Sequence, residues 1–518
     1  MDPDEAKRFP SACVASPHYL ASAAGLGVLA SGGNALDAAI ATNLVLGVVT
    51  PYLCGYGGDL FALIWRDGEL FGYNGSGRAP AAASVDAVRE AAGTDAMPEL
   101  GPHVVTVPGA VEGWFALLDR FGSRPFTDLA EPAERYAREG FPLTDRGGAS
   151  FGRGRQRFAW SPTWWEVYGE AEPRSILRQP DLARTIRLLR SGGPDAYYRG
   201  PIAEAMVAYL RSLGGLMSVD DLADHRGDVV EPLSTAYADV EVVELPPNTQ
   251  GVTALEALNI SEALHPLPTE EASRQHLLIE AAKMALADRD AFVTDQRAMT
   301  VDARDIASKA WGRRRAGTVD RDRAGRPPTG RPAGGGTVYL CAADHEGMCV
   351  SLIQSNYMGF GSGVTVPGWG INLQNRGAFF SLDPAHPNAI GPGKRTLHTL
   401  IPAMALREGR PRLVFGSMGG DGQAQTHLQL LTRILDDGED IQRAISAPRW
   451  FVDPATWQVS LEPRFGPGLA DDLRHRGHRV VEVGPYDSLM GHAHAIQVLE
   501  DGYSVGTDPR AEGAALGL

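Results

Sequence analysis

The run Gly334-Gly335-Gly336-Thr337-Val338-Tyr339-Leu340-Cys341 puts a hydroxyl at the junction of two unlike stretches of chain. Arg, Pro and Gly dominate before it, and apolar, β-prone residues follow. A Thr hydroxyl is a weak nucleophile that needs a base beside it, and a free N-terminal amine can be that base. A cut before Thr337 would give one residue both groups. The α-amino pKa of about 8 suits proton acceptance near neutrality.

A second segment could serve the same chemistry. Gly416-Ser417-Met418-Gly419-Gly420-Asp421-Gly422 joins an expected strand, Arg412 to Phe415, to an expected helix, Gln423 to Leu435. Glycines entering a helix expose N–H groups that can hold the oxyanion of acyl transfer. The same segment also fits a tight strand-to-helix turn without chemistry. Other signatures fail. Ser150 and Ser504 match Gly-x-Ser-x-Gly by spelling only, because neither has the strand before it and the helix after it that a nucleophile elbow needs. Gly393-Lys394 is followed by Arg395, which breaks the P-loop pattern. No His-Glu-x-x-His or paired Cys-x-x-Cys is present, so no metal is expected. Of the dispersed histidines, His398 is the one site candidate.

The elements that must position these residues read as an α/β protein. Helix 35–49 should be capped by Asn34 with Asp37 at its third position. A hairpin is expected over Asp59 to Tyr73 with its turn at Asp67-Gly68. Residues 110–230 read as mainly helical. Val240 to Leu245 reads as a strand ending at Pro246-Pro247-Asn248-Thr249-Gln250-Gly251, with a helix after it and another from Arg274 to Asp290. Residues 312–336 read as a flexible, solvated linker. Strands are expected at Thr337 to Ala342, Met348 to Gln354, Gly361 to Val364, Gly370 to Leu373, Ala403 to Leu406 and Arg412 to Phe415. A small α/β region is expected over Val459 to Val498. With 518 residues the chain can hold about two to four domains, or one large fold in two halves. Its net charge of -15 argues against a general phosphate-backbone binder. Met1 to Pro10 lacks a secretory pattern, and Ala35 to Val49 is broken by polar residues, so neither signal nor span is expected. Cys13, Cys54, Cys341 and Cys349 read as reduced core thiols, and the compartment as cytoplasmic.

Taken in order, further segments carry a resemblance. They are Ser31-Gly32-Gly33-Asn34-Ala35-Leu36-Asp37, Gly55-Tyr56-Gly57-Gly58-Asp59, Ala79-Pro80-Ala81, Val107-Pro108-Gly109 and Leu245-Pro246-Pro247. After the junction come Phe360-Gly361-Ser362-Gly363, Pro392-Gly393-Lys394-Arg395, Met418-Gly419-Gly420 and Ala447-Pro448-Arg449-Trp450. Together they resemble the γ-glutamyltranspeptidase family of N-terminal nucleophile hydrolases over nearly the whole chain. The resemblance implies a four-layer αββα fold built from two subunits of one precursor. Residues 1–336 would form the large subunit and 337–518 the small one. It implies self-cleavage at Gly336–Thr337, with Thr337 as nucleophile and its amine as base, and the N–H groups of Gly419 and Gly420 as the oxyanion hole. No metal or organic cofactor is implied.

The chain also departs from the family pattern. Where the transpeptidases proper carry an arginine for the substrate's α-carboxylate, this chain has Ser76, with Arg78 nearby. Where they carry an aspartate for the α-amino group, it has Phe379, and their paired serines correspond to His398 and Thr399. An apolar ring would leave an ammonium poorly paired. The variants resemble a divergent branch that contains oxamate amidohydrolase and cephalosporin-acylase-like proteins. Arg376 becomes a candidate for a substrate carboxylate; the alternative is a structural Arg paired with an internal carboxylate. The expected substrate-binding set is Arg376, Arg78, Asn375, His398, Thr399 and Ser355. The first reading is a self-processed hydrolase of a small amide. A γ-glutamyl hydrolase or transferase, a C–C bond hydrolase of the same fold and an unprocessed binding homologue are the alternatives. The expected partners are a small amide or acyl substrate, the two subunits themselves and optionally further copies of the chain, with neither nucleic acid nor membrane.

Overall fold

A computed structural model describes residues 5–327 and 336–518. Two seven-stranded sheets form its centre. In the first, the strand order is Ala514–Gly517, Cys13–Ser16, Gly336–Ala343, Cys349–Tyr357, Asp59–Arg66, Glu69–Asn74 and Asp228–Val230. In the second it is Lys7–Phe9, Gly502–Thr507, His492–Leu499, Arg410–Met418, Ala403–Arg407, Val240–Glu244 and Leu233–Tyr237.

Period-two alternation assigns each strand's side chains to two cores. From strand Gly336–Ala343, Tyr339, Cys341 and Ala343 pack between the sheets with Phe61, Met404, Val414 and Ile496. Val338, Leu340 and Ala342 pack outward against helices Tyr19–Ala30, Ala35–Val49 and Ala110–Phe121. The second sheet is covered in the same way by helices Gly251–Ala263, Glu271–Phe292 and Gly422–Leu431. The layers therefore run α, β, β, α, as the family resemblance implies. Because the strands are buried on both faces, they read as nearly unbroken apolar runs.

Local signals agree with this frame. Asn34 and Asp37 form a reciprocal capping box on helix Ala35–Val49. Asp67 and Gly68 both take positive φ, 54° and 87°, in the tight hairpin turn. All four cysteines are free and buried. Among the described residues no helix is long and apolar enough to cross a membrane.

Three expectations need correction. The linker predicted over 312–336 begins inside a helix, Lys309–Ala316. Residues beyond it are held as well: Gly325 N–H donates to Glu280 (2.9 Å) and Trp457 Nε1–H to the Pro327 carbonyl (2.9 Å). Residues 328–335 lie outside the described residues. The terminal α/β region is only a three-stranded sheet, Trp450–Val452, Gln458–Leu461 and Arg479–Glu482, with helix Leu469–His475, because His492–Leu499 joins the large sheet instead. The strand expected at 361–364 is a turn, with a two-residue strand at Thr365–Val366 just after it, and the one expected at 370–373 shrinks to Ile371–Asn372, which pairs with it. Ser150 lies within helix Asp145–Arg157 and Ser504 within strand Gly502–Thr507, so neither is a nucleophile elbow.

Candidate active site

Thr337 is the second residue of its strand and is buried. The pairing with strand Cys349–Tyr357 shifts register between Gly336 and Val338, so Thr337 stands at a bulge. Its hydroxyl donates to Ser355 Oγ at 3.2 Å. The Ser355 hydroxyl in turn donates to the Gly336 carbonyl, and its oxygen also accepts from Tyr357 N–H at 2.7 Å. One serine therefore bridges the hydroxyl of Thr337 and the carbonyl on the other side of the Gly336–Thr337 bond. Tyr357 takes φ 77°, a conformation that a bulky side chain adopts only when its surroundings enforce it.

Across the sheet-to-sheet interface, the Tyr339 ring lies against Gly416; a Cβ there would come within 2.4 Å of the ring. Strand Arg410–Met418 then runs into the Gly419-Gly420 turn. These glycines take φ 138° and 56°, a backbone that side chains disfavour. Gly419 accepts from Gly422 N–H (2.9 Å) and Gly420 from Gln423 N–H (3.2 Å), which turns their carbonyls towards the helix. Among the described residues, no acceptor binds the N–H of Gly419 or Gly420.

Arg376 connects the two parts. It is wholly buried, with its guanidinium 4.1 Å from the centre of the Tyr357 ring and Nη1 donating to Thr399 Oγ1 at 3.2 Å. Gln250 Nε2 then donates to both the Thr399 and the Gly420 carbonyls at 2.9 Å. A continuous chain of contacts thus links Thr337, Ser355, Tyr357, Arg376, Thr399, Gln250 and Gly420. Among the described residues no carboxylate lies within ion-pair distance of Arg376, and its Nε and Nη2 have no hydrogen-bond partner. Burial pushes its pKa down to about 10, and the nearby Tyr357, Asp59 and Asp421 only partly offset this. The expected alternative, an arginine held by an internal carboxylate, is not what the structure has.

Three other predicted residues are occupied elsewhere. Arg78 pairs with Asp228 (3.4 Å) and Asp295 (3.7 Å), because these acids close on it from other segments. Asn375 spends both ends of its amide on the backbone, accepting from Met358 N–H and donating to the Glu99 carbonyl, each at 2.9 Å. His398 is buried beside Asp59, 3.1 Å away, and its Nδ1 accepts from Leu400 N–H. Burial, then the Arg376 charge, pushes the His398 pKa to about 3, so it is neutral with its proton on Nε2. Burial alone would raise Asp59, but hydrogen bonds from His398, Gln374 and Gly77 hold it below the usual carboxylate range.

Asp59, Gln250 and Tyr357 belong to the site without having been singled out from the sequence. Asp59 and Gln250 each close a turn motif, Gly-Tyr-Gly-Gly-Asp and Pro-Pro-Asn-Thr-Gln-Gly, which was the signal available.

Elsewhere, His276, Glu280 and His478 bring three potential metal-ligand atoms within 4.8 Å of one another. The Lys283 ammonium already fills the cation's place, 2.8 Å from Glu280 Oε1 and 3.1 Å from His478 Nδ1. His478 then bonds His276 (2.8 Å), which bonds the Asp320 carbonyl (2.9 Å). The cluster is a closed hydrogen-bond chain that fastens the segment after helix Lys309–Ala316.

The paired sheets between helical layers define an N-terminal nucleophile hydrolase fold, a class to which similar solved structures belong. The chain belongs to the gamma-glutamyltranspeptidase family, whose model matches residues 21–518, and it is an enzyme of that family. It is 40% identical over 520 residues to the glutathione hydrolase-like YwrD proenzyme of Bacillus subtilis, covering 98% of each chain. It is 39% identical over 522 residues to the oxamate amidohydrolase proenzyme of Klebsiella pneumoniae, covering 97% of each. A crystal structure of cephalosporin acylase from Bacillus halodurans superposes with a TM-score of 0.94 at 38% identity, covering 99% of this chain and 97% of that one.

Proposed function

We propose that the chain cuts itself between Gly336 and Thr337 and then hydrolyses a small amide whose acyl part carries a carboxylate. The observation that carries the first half is the Ser355 bridge across the bond to be cut. As Thr337 Oγ1 attacks the Gly336 carbonyl carbon, its proton passes to Ser355, and the Ser355 proton passes to the Gly336 oxygen. Collapse returns the proton from the Gly336 oxygen to the departing nitrogen, breaks the C–N bond and leaves Gly336 as an ester on Thr337 with a free amine. Water then releases Gly336. In the second half the freed amine takes the Thr337 hydroxyl proton while Oγ1 attacks the substrate carbonyl. The N–H groups of Gly419 and Gly420, free of other acceptors, receive the oxyanion. The leaving amine takes the proton, and water hydrolyses the acyl-threonine.

Arg376 supports the carboxylate. A buried charged group with unpaired donors costs about 1–3 kcal/mol or more, and a bound carboxylate removes that cost with charge-assisted bonds. Oxamate, the compound in one relative's name, is an amide whose acyl part bears a carboxylate. A γ-glutamyl head would bring an ammonium to a site where Phe379 packs against Tyr357, with ring centres 5.6 Å apart.

The test is intact mass after expression, with Thr337→Ala beside it, followed by turnover of small amides with and without an acyl carboxylate. Two fragments meeting at Gly336/Thr337, an uncut and inactive Thr337→Ala and a preference for the carboxylate amides are expected. A full-length chain that remains active sinks the proposal.

A further inference from the structure

Gln250 lies in the turn before helix Gly251–Ala263 and is fully buried. Its amide uses both N–H groups on carbonyls of the site, Thr399 and Gly420, each at 2.9 Å. Its Oε1 accepts from Arg289 Nη1 at 2.8 Å, and Arg289 also binds Asp421, the residue after Gly420. Its own N–H donates to the His398 carbonyl at 2.8 Å. Three segments that are distant in sequence thus meet on one side chain.

Gly419 and Gly420 carry no side chains, so hydrogen bonds to the peptide groups must set the direction of their N–H groups. Among the described residues, Gly420 O receives only Gln250 Nε2 and Gln423 N–H. Thr399 is equally dependent, since its hydroxyl accepts from Arg376 and its carbonyl from Gln250. We infer that Gln250 is a positioning residue that holds the oxyanion turn and the Arg376–Thr399 clamp at a fixed separation, so that a substrate gripped by its carboxylate presents its amide carbonyl to Gly419 and Gly420. This inference rests on the hydrolase reading above. Gln250 touches no reacting atom and leaves the Ser355 relay alone.

Gln250→Met keeps the length of the side chain and removes its hydrogen bonds. Its cleavage is followed by intact mass, and its active sites are counted by burst titration, so that kcat is expressed per working site. Cleavage at the parent's extent is expected. For amides with an acyl carboxylate, kcat should fall about 10²-fold, the cost of misplacing reacting groups by about an ångström, and KM should rise about tenfold. For amides lacking the carboxylate, kcat should fall similarly with KM unchanged. Gln250→Glu places an oxygen against both carbonyls while keeping its Arg289 contact, and should lose at least as much. A purely structural role would lower the titrated fraction and leave kcat and KM within twofold, which overturns the inference. A fall in kcat with the same KM change for both substrate types overturns the coupling. An uncut Gln250→Met with the parent's melting temperature places the residue in maturation and overturns it too. A parent that is uncut yet active, with Thr337→Ala equally active, overturns the hydrolase reading beneath it.

Discussion

Thr337 and Arg376 are joined through Ser355 and Tyr357, yet their surroundings are built differently. At Thr337, the hydroxyl, the Ser355 hydroxyl and the Gly336 carbonyl already satisfy one another. At Arg376, the cation rests on an aromatic face and one threonine, with two nitrogens unpartnered in a buried setting. On the proposed mechanism the bond-breaking end finds its first substrate in the chain itself, so it can be complete in the precursor. The recognition end is completed only by a molecule from outside. The reaction is therefore general to the architecture, and the choice of substrate rests on a few buried side chains.

The sharpest way to break this contrast is Arg376→Met. Losing one member of a buried charge pair costs about 2–5 kcal/mol, so kcat/KM for carboxylate amides should fall about 30- to several thousand-fold. Carboxylate-free amides should change less than about threefold. The variant should also melt higher than the parent, because an unpaired buried charge has been removed. A lower melting point with unchanged selectivity would mean that Arg376 is structural. At the other end, Ser355→Ala removes the relay and should slow self-cleavage about 10²-fold, the scale of one positioned proton donor. Timed intact mass from a cell-free synthesis reads this directly, and an unchanged rate would remove Ser355 from the mechanism.

Acid should act on stability. His398 and His494 are pushed to about 3, and His18, His225 and His492 to about 4, in each case mainly by burial. Below about pH 6.5 the unfolded chain binds protons that these folded rings refuse, so stability falls as pH falls until the folded values are reached. At pH 5.5 each ring contributes a loss of about 1.4 kcal/mol. Melting at pH 7.5 and 5.5 should show the drop. The smallest effect belongs to Arg78→Ala. Its side chain keeps 30% of its exposure and pairs with half-exposed Asp228. Activity should therefore move less than about threefold, and stability by no more than about 1 kcal/mol. A large loss of carboxylate selectivity would restore Arg78 to the substrate-binding set.

The candidate nucleophile could be proposed from the sequence because its evidence is local: a hydroxyl at the start of an alternating apolar strand after glycines. An α/β protein was legible from the local patterns, and the αββα layering only through the ordered motifs that carry the family resemblance. The state of each arginine was not. Arg78 and Arg376 look alike in sequence, and what separates them is the approach of Asp228 and Asp295 to one and of Tyr357 and Thr399 to the other. The supposed linker misled in the same manner. Its Arg-rich start folds because Gly312 lies close against Asn259 and Trp311 bonds Glu256 and Asp288, partners on two distant helices.

The strand order has a consequence for the molecule's later life. In the first sheet, Gly336–Ala343 lies between Cys13–Ser16 and Cys349–Tyr357, and Ala514–Gly517 closes the far side of Cys13–Ser16. In the second, Lys7–Phe9 and Val240–Glu244 bracket four strands from beyond residue 400. A cut before Thr337 would therefore make each sheet the joint property of two polypeptides threaded through one another. Assembly would change from a unimolecular to a bimolecular event, and the tether's effective concentration, about millimolar, would be lost. The precursor would then be a template used once. The nicked product would persist because it unfolds slowly, not because it could readily find its way back.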